Sequence, residues 1–306
     1  MNLYRKYRPK DFNDIIGNIE IIEALQNLTK KRNIHSYLLQ GPTGCGKTTL
    51  GRIIAKELDS FGADFREIDT ADFRGIDTIR EIRKQAQFKP IESKCRVFLV
   101  DEAHKMTNDA QNALLKILED TPNHVYFILC TTEPQKLIPT IKGRCSQFTV
   151  TLLGDNQMLK LLRNIVKGEN ESIERIVYNQ IVQDSLGHPR NAIQILEQVL
   201  NVEKDKRLQT AARVAEKQNQ TIELCRALLA KGAWKKISSI LKGLKQEEPE
   251  GIRRAVLGYC QSVLLNSENN QAALIMEEFM VSFFYTGFPG LTFACYSVIK
   301  GEKNGY

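Results

Sequence analysis

The stretch Gly41-Pro42-Thr43-Gly44-Cys45-Gly46-Lys47-Thr48 constrains this chain more than any other. It reads G-x-x-x-x-G-K-T. Before it, residues 37–40 are a short apolar run that predicts a strand. After it, from Thr49 on, apolar Leu50, Ile53, Ile54 and Leu58 stand at helical spacing. Strand, glycine-rich turn and helix together make a phosphate cradle. Glycine lets backbone N–H groups turn toward phosphate oxygens, and the helix N-terminus adds partial positive charge. In such a cradle Lys47 reaches the β/γ-phosphates of a nucleoside triphosphate, and the Thr48 hydroxyl holds Mg²⁺.

A chain of 306 residues predicts two or three domains, and its composition is that of an ordinary soluble protein. The net charge of +7 is spread over both halves, which permits nucleic-acid binding without arguing for it. Seven cysteines are scattered without a C-x-x-C pair, so no zinc is expected and the thiols are expected to be reduced, as in a cytosol. The first nine residues are basic and polar, unlike a secretion signal. Residues 279–299 carry no charge and are long enough to span a bilayer, but Gly287-Phe288-Pro289-Gly290 interrupts them. They predict two buried helices around that turn, and no membrane span is expected.

Along the chain, strands are predicted at 37–40, 65–69, 96–100, 125–130 and 148–152. Helical patterns lie between them, including one capped by Thr107. Alternation of this kind means an α/β fold with a parallel sheet and ligand at the strands' carboxyl ends. Strands then stop. Helical periods follow at 156–166, 172–182 and 189–199, then a charged stretch, 203–217, that reads as a hinge or linker. The rest is helical.

The strand at 96–100 ends in Asp101-Glu102. Asp101 at a strand tip can bind Mg²⁺, directly or through water, and Glu102 can polarise an attacking water. Phosphate cradle, metal and base together specify hydrolysis. Asp101-Glu102-Ala103-His104 also reads as a DEAH helicase string, but no second motor domain follows it. Thr131 and Thr132 put hydroxyls at the next strand tip, where they can touch γ-phosphate or water, or merely cap a turn. Arg144 and Arg190 alone are no more than surface charges.

In order and spacing, these features resemble one family. Tyr4-Arg5-Lys6-Tyr7-Arg8-Pro9 through Ile15-Ile16-Gly17, the glycine-rich loop, Val100-Asp101-Glu102-Ala103-His104, Asn112-Ala113-Leu114-Leu115-Lys116 and Thr131-Thr132-Glu133-Pro134 occur in turn. Gly143-Arg144-Cys145 and Gly187-His188-Pro189-Arg190 complete the series. The family is the AAA+ clamp-loader ATPases, and the resemblance is closest to its bacterial gamma/tau branch. It covers residues 3–200; beyond that the likeness is only in being helical.

The resemblance implies an α/β AAA+ P-loop ATPase domain (1–152), a small helical lid (153–205) and an all-helical collar for oligomerisation (206–306). It implies ATP and Mg²⁺ as cofactors, and sliding clamp, primer–template DNA and further loader subunits, in a pentameric ring, as partners. It implies work in the cytoplasm, that of a host if the origin is viral. Thr132 resembles sensor 1, Arg190 sensor 2, and Arg144 the arginine finger that completes a neighbour's site. Tyr7, Arg8, Ile16 and Gly17 resemble the segment on the adenine, and residues 41–49 the rest of the nucleotide site. Arg74 resembles the residue linking DNA contact to the catalytic glutamate, and Phe88 and Ile91 the clamp-facing anchors. Two departures stand out. Residues 57–65 are too few for the zinc module of bacterial gamma/tau chains, and Gly143 replaces the serine before the finger. With the short length, these fit a compact viral or plasmid-borne loader. A non-hydrolysing scaffold would not need Lys47, Thr48, Asp101 and Glu102 together. A branch-migration ATPase would end in a winged helix, for which no strand pair is visible.

Overall fold

Near-continuous apolar runs suit strands covered on both faces. A computed structural model, describing residues 2–70, 75–218 and 220–300, places five strands in one parallel sheet, with the apolar runs at its centre. Strands β1 (Ser36–Gln40), β2 (Phe65–Asp69), β3 (Arg96–Asp101), β4 (Val125–Thr131) and β5 (Ser146–Thr149) lie in the order β2-β3-β4-β1-β5. Thus β4 separates β1 from β3, and the tips of all three end side by side.

The last strand differs from expectation. It runs over Ser146–Thr149 rather than 148–152, pairing Tyr37 with Ser146 and Gln40 with Thr149. Of the apolar residues that suggested the later position, Phe148 lies in the strand, and Val150 and Leu152 follow it. Val150 only donates its N–H to the Gln40 carbonyl at 2.8 Å and then packs in the core. An edge strand half open to solvent alternates, and its polar positions hid its start.

Helices α1 (Leu3–Lys6), α2 (Ile19–Lys31), α3 (Lys47–Glu57), α4 (Ile76–Ala86), α5 (Asn108–Glu119) and α6 (Pro139–Arg144) complete this part. The period of two along each strand splits the core. Leu38, Phe98, Val100, Phe127 and Leu129 meet Ile79 and Ile82 of α4, Leu114 and Ile117 of α5, and Ile141 of α6. Tyr37, Leu39, Val97, Leu99 and Ile128 meet Leu25 of α2 and Leu50, Ile53 and Ile54 of α3. Thr107 caps α5, its side chain accepting the Ala110 N–H.

One polar knot is buried beside β3. The Asp64 carboxylate accepts the N–H groups of Ile91, Glu92 and Ser93 and pairs with Arg96 at 3.0 Å. Arg96 also donates to the Gln85 and Lys89 carbonyls. The loop so held displays Phe88 and Ile91, 66% and 74% exposed. Arg74 lies outside the described residues.

The chain divides between Gln157 and Met158 into two compact units. The second holds most of α7 (Asp155–Gly168) and α8 (Arg175–Ser185), α9 (Pro189–Leu200), α10 (Arg207–Gln218), α11 (Gln220–Leu229), α12 (Trp234–Gly243), α13 (Pro249–Asn266), α14 (Asn270–Phe279) and α15 (Gly287–Lys300). The charged stretch read as a linker is largely α10, packed along α8 and α9. Ala211 is fully buried there, and the Arg207 guanidinium binds the Ser172 carbonyl and Glu171. A charged helix face with few apolar contacts looks like a linker in sequence. The turn expected at 287–290 is also different: Gly287 opens α15, with Pro289 in its first turn, where a missing N–H is tolerated. The break between the helices is residues 280–286, whose Phe283 N–H is accepted by the buried Glu250. Among the described residues, no helix is long and apolar enough to cross a membrane.

Candidate nucleotide-binding and hydrolysis site

The loop between β1 and α3 bends through Gly41 (φ +150°), Gly44 (φ +73°) and Gly46 (φ +106°). Only glycine suits such angles readily. At Gly41 the demand is also steric, since a Cβ there would lie 2.1 Å from the Val150 carbonyl oxygen. Pro42 and Thr43 form the exposed tip, while Cys45, Lys47 and Thr49 are buried. Burial against the loop pushes the Cys45 thiol pKa up, more than Lys47 lowers it. Lys47 Nζ donates to the Gly41 and Pro42 carbonyls, at 2.9 and 2.7 Å, so the ammonium lies inside the curl of the loop.

Thr48, in the first turn of α3, meets the tip of β3. Its Oγ1 donates to Asp101 Oδ2 at 2.8 Å. A hydroxyl beside a carboxylate is an all-oxygen donor set, the kind a hard cation such as Mg²⁺ takes. The next residue, Glu102, has a left-handed backbone (φ +51°), and its N–H is held by Asp101 Oδ1 at 3.0 Å. Thr132, just past β4, donates to Glu102 Oε2 at 3.3 Å. The strand order explains the meeting: β4 lies between β1 and β3, so its tip falls between the loop and the acids.

His104 was not among the expected site residues. Its side chain is 5% exposed, with Nδ1 3.3 Å from Glu102 Oε2 and Nε2 3.3 Å from Glu133 Oε1. Nδ1 also lies 3.1 Å from Thr131 Oγ1. Burial lowers the imidazole pKa, outweighing the two carboxylates that raise it. The signal available in sequence was the histidine two places after Glu102, which read only as part of a helicase string.

The N-terminal segment is anchored near the exit of β5. Gly17 (φ +81°) packs so tightly that a Cβ would lie 2.7 Å from Leu153 Cδ2. The Asn18 side chain accepts the Thr151 N–H and hydroxyl, both at 2.9 Å. Ile16 is half-buried beside this anchor. Tyr7 and Arg8 are half-buried further up the segment. The Arg8 guanidinium stands over the Tyr4 ring, 5.0 Å from its centroid. Arg5, Arg8, Lys10, Arg52 and Lys56 line a cleft of about 370 Å³.

The two remaining arginines stand on other elements. Arg144 ends α6, its side chain 36% exposed and paired with Glu119. Gly143 lies within α6, with no atom near the position a Cβ would take. Arg190 is half-buried in the first turn of α9, in the second unit. The structure thus brings Lys47, Thr48, Asp101, Glu102 and Thr132 together.

Known proteins match this chain in sequence and fold. The family described as DNA polymerase III, delta subunit, matches residues 61–153. The DNA polymerase III subunit gamma/tau of Mycobacterium tuberculosis (strain ATCC 25618 / H37Rv) is 37% identical over 224 residues, covering 65% of this chain and 39% of that protein. The replication factor C small subunit of Methanococcus vannielii is 34% identical, covering 71% of this chain and 66% of that one. The Thermotoga maritima RuvB Holliday junction branch migration motor shares the fold, with a TM-score of 0.59 and 19% identity over 73% of this chain and 79% of that one. The chain spans about two fifths of the length of its mycobacterial relatives.

Proposed function

The chain belongs to the AAA+ clamp-loader ATPase family, and on that premise we propose that it is an ATPase subunit of a DNA polymerase sliding-clamp loader. ATP binding drives clamp opening and primer–template binding, and hydrolysis releases the closed clamp on DNA. The observation that carries this is the convergence of Lys47, Thr48, Asp101, Glu102 and Thr132 at three adjacent strand tips.

On this reading the curled loop and Lys47 hold the ATP phosphates. Thr48 and Asp101 would hold Mg²⁺, which would supply charge neutralisation on the phosphates. Glu102 takes the proton of the attacking water and Thr132 orients the reacting groups. Tyr7, Arg8, Ile16 and Gly17 flank the adenine, and Arg190 reports on the phosphates from the lid. Arg144 serves the site of the next subunit in a pentameric ring, leaving Glu119 to do so. Phe88 and Ile91, on the loop fixed by Asp64, are the apolar anchors for the clamp. A cleft of about 380 Å³ between α4 and α5 includes Arg80, Arg83 and Lys116 and suits a DNA backbone, which is bound through phosphates without a base code. The protein works in the cytoplasm, that of a host if the origin is viral.

ATP turnover measured alone, with primed DNA, and with DNA plus clamp and partner subunits tests the proposal. Strong stimulation only in the last mixture supports it. Turnover indifferent to the clamp in the full mixture contradicts it.

A further inference from the structure

Glu102 is fixed at its backbone from both sides. Its N–H is bound by Asp101, and its carbonyl accepts the Thr70 hydroxyl. What remains to be set is the direction of the carboxylate. Two groups reach its Oε2, the Thr132 hydroxyl and His104 Nδ1, both at 3.3 Å. The opposite edge of the ring faces Glu133, whose other oxygen pairs with Lys136 at 2.8 Å. The Thr131 hydroxyl, beside Nδ1, accepts the Glu133 N–H at 3.1 Å. Lys105 and Lys136 supply the remaining charges around the ring.

Burial favours the neutral imidazole, which carries one proton between two carboxylates. With that proton on Nδ1, the ring donates to the Thr131 hydroxyl at 3.1 Å, and the same N–H faces Glu102 Oε2 at 3.3 Å. With it on Nε2, the ring donates to Glu133, Nδ1 accepts from Thr131, and its lone pair opposes Glu102 Oε2. One arrangement holds the carboxylate and the other releases it. A neutral hydrogen bond of this kind fixes both tautomer and direction.

We propose that His104 is a positioning residue for Glu102, holding the carboxylate through Nδ1–H, with Glu133 competing for the same proton. The inference rests on the reading of Glu102 as the base in hydrolysis. It links the acid at the tip of β3 to the residue immediately after Thr132, so a shift at one strand tip changes the aim of the other.

The side-chain amide of asparagine reproduces the Nδ1 donor of histidine, and that of glutamine the Nε2 donor. ATP turnover, nucleotide affinity and melting temperature are therefore compared for wild type, His104→Asn, His104→Gln, His104→Ala and Glu102→Gln, each purified with its co-assembling subunits. The expected result is a kcat lowered about tenfold or more in His104→Gln and His104→Ala with nucleotide affinity unchanged, since misplacing a reacting group lowers rate rather than binding. His104→Asn is expected to stay within about twofold of wild type. A histidine that merely fills space would make the two amides alike. Equal kcat in the Asn and Gln variants, at whatever level, overturns the proposal. Normal turnover in Glu102→Gln overturns the reading of the base on which it rests, and so separates the two failures.

Discussion

Thr48 Oγ1 donates to Asp101 Oδ2 at 2.8 Å, joining the start of α3 to the tip of β3 although β4 separates the strands that carry them. The bond places a hydroxyl and a carboxylate where one cation can take both. Thr48→Ala is therefore expected to weaken nucleotide binding in the presence of Mg²⁺ and to leave Mg²⁺-free binding nearly unchanged. Titration of a fluorescent ATP analogue with and without Mg²⁺ checks this. Equal losses in both conditions would remove the metal role.

Glu102→Gln keeps the shape of the side chain and removes its basicity. Turnover is expected to fall by about 10²–10⁴, the usual worth of a positioned base, while ATP affinity stays within about twofold. Single-turnover hydrolysis alongside equilibrium binding separates the two quantities.

Arg144 pairs with Glu119 in its own chain, and its proposed task lies in a neighbour's site. Arg144→Ala is expected to leave the isolated chain's nucleotide affinity untouched. In the assembled complex it should lower turnover about 10³-fold. Unchanged turnover in the assembly would remove the finger.

Asp64 concerns stability rather than chemistry. Burial alone would raise its pKa, but the N–H groups of Glu92, Ile91 and Ser93 and the Arg96 guanidinium overturn that and hold it well below the usual carboxylate range. A depressed folded pKa contributes stability above the unfolded value of about 3.9, and that stability is lost as pH falls below it. Breaking the buried pair by Asp64→Ala is expected to cost about 3–5 kcal/mol near neutral pH. The gap from wild type should narrow below about pH 4. Denaturant melts at pH 7 and pH 3 read this out. The same variant should disorder the loop that carries Phe88 and Ile91, seen as faster amide exchange at residues 91–93.

The residues whose chemistry is local were legible in the sequence. Gly41 to Thr48 showed a tight turn between strand and helix because its φ angles demand glycine at fixed places. Val97 to Val100 showed a central strand because both its faces are buried. Positions set by distant partners were not legible. Ser146 pairs with Tyr37 at an edge, where polar residues alternate and no apolar run marks the start. The stretch containing α10 looked like a linker, since only the packing on α8 and α9 reveals which few of its residues are covered. His104 gained meaning only when Thr131 and Glu133, distant in sequence, came beside it. Asp64 and Arg96 were likewise silent until the turn after α3 met the start of β3.

The most direct measurement is loading itself. Clamp, primed circular DNA, partner subunits and this chain are mixed with ATP, and clamp retained on DNA is counted after filtration. Retention on circles, its loss on linearising the DNA and its absence with Lys47→Ala are the predicted results. A chain that hydrolyses ATP in this mixture yet leaves no clamp on circular DNA would contradict the assignment.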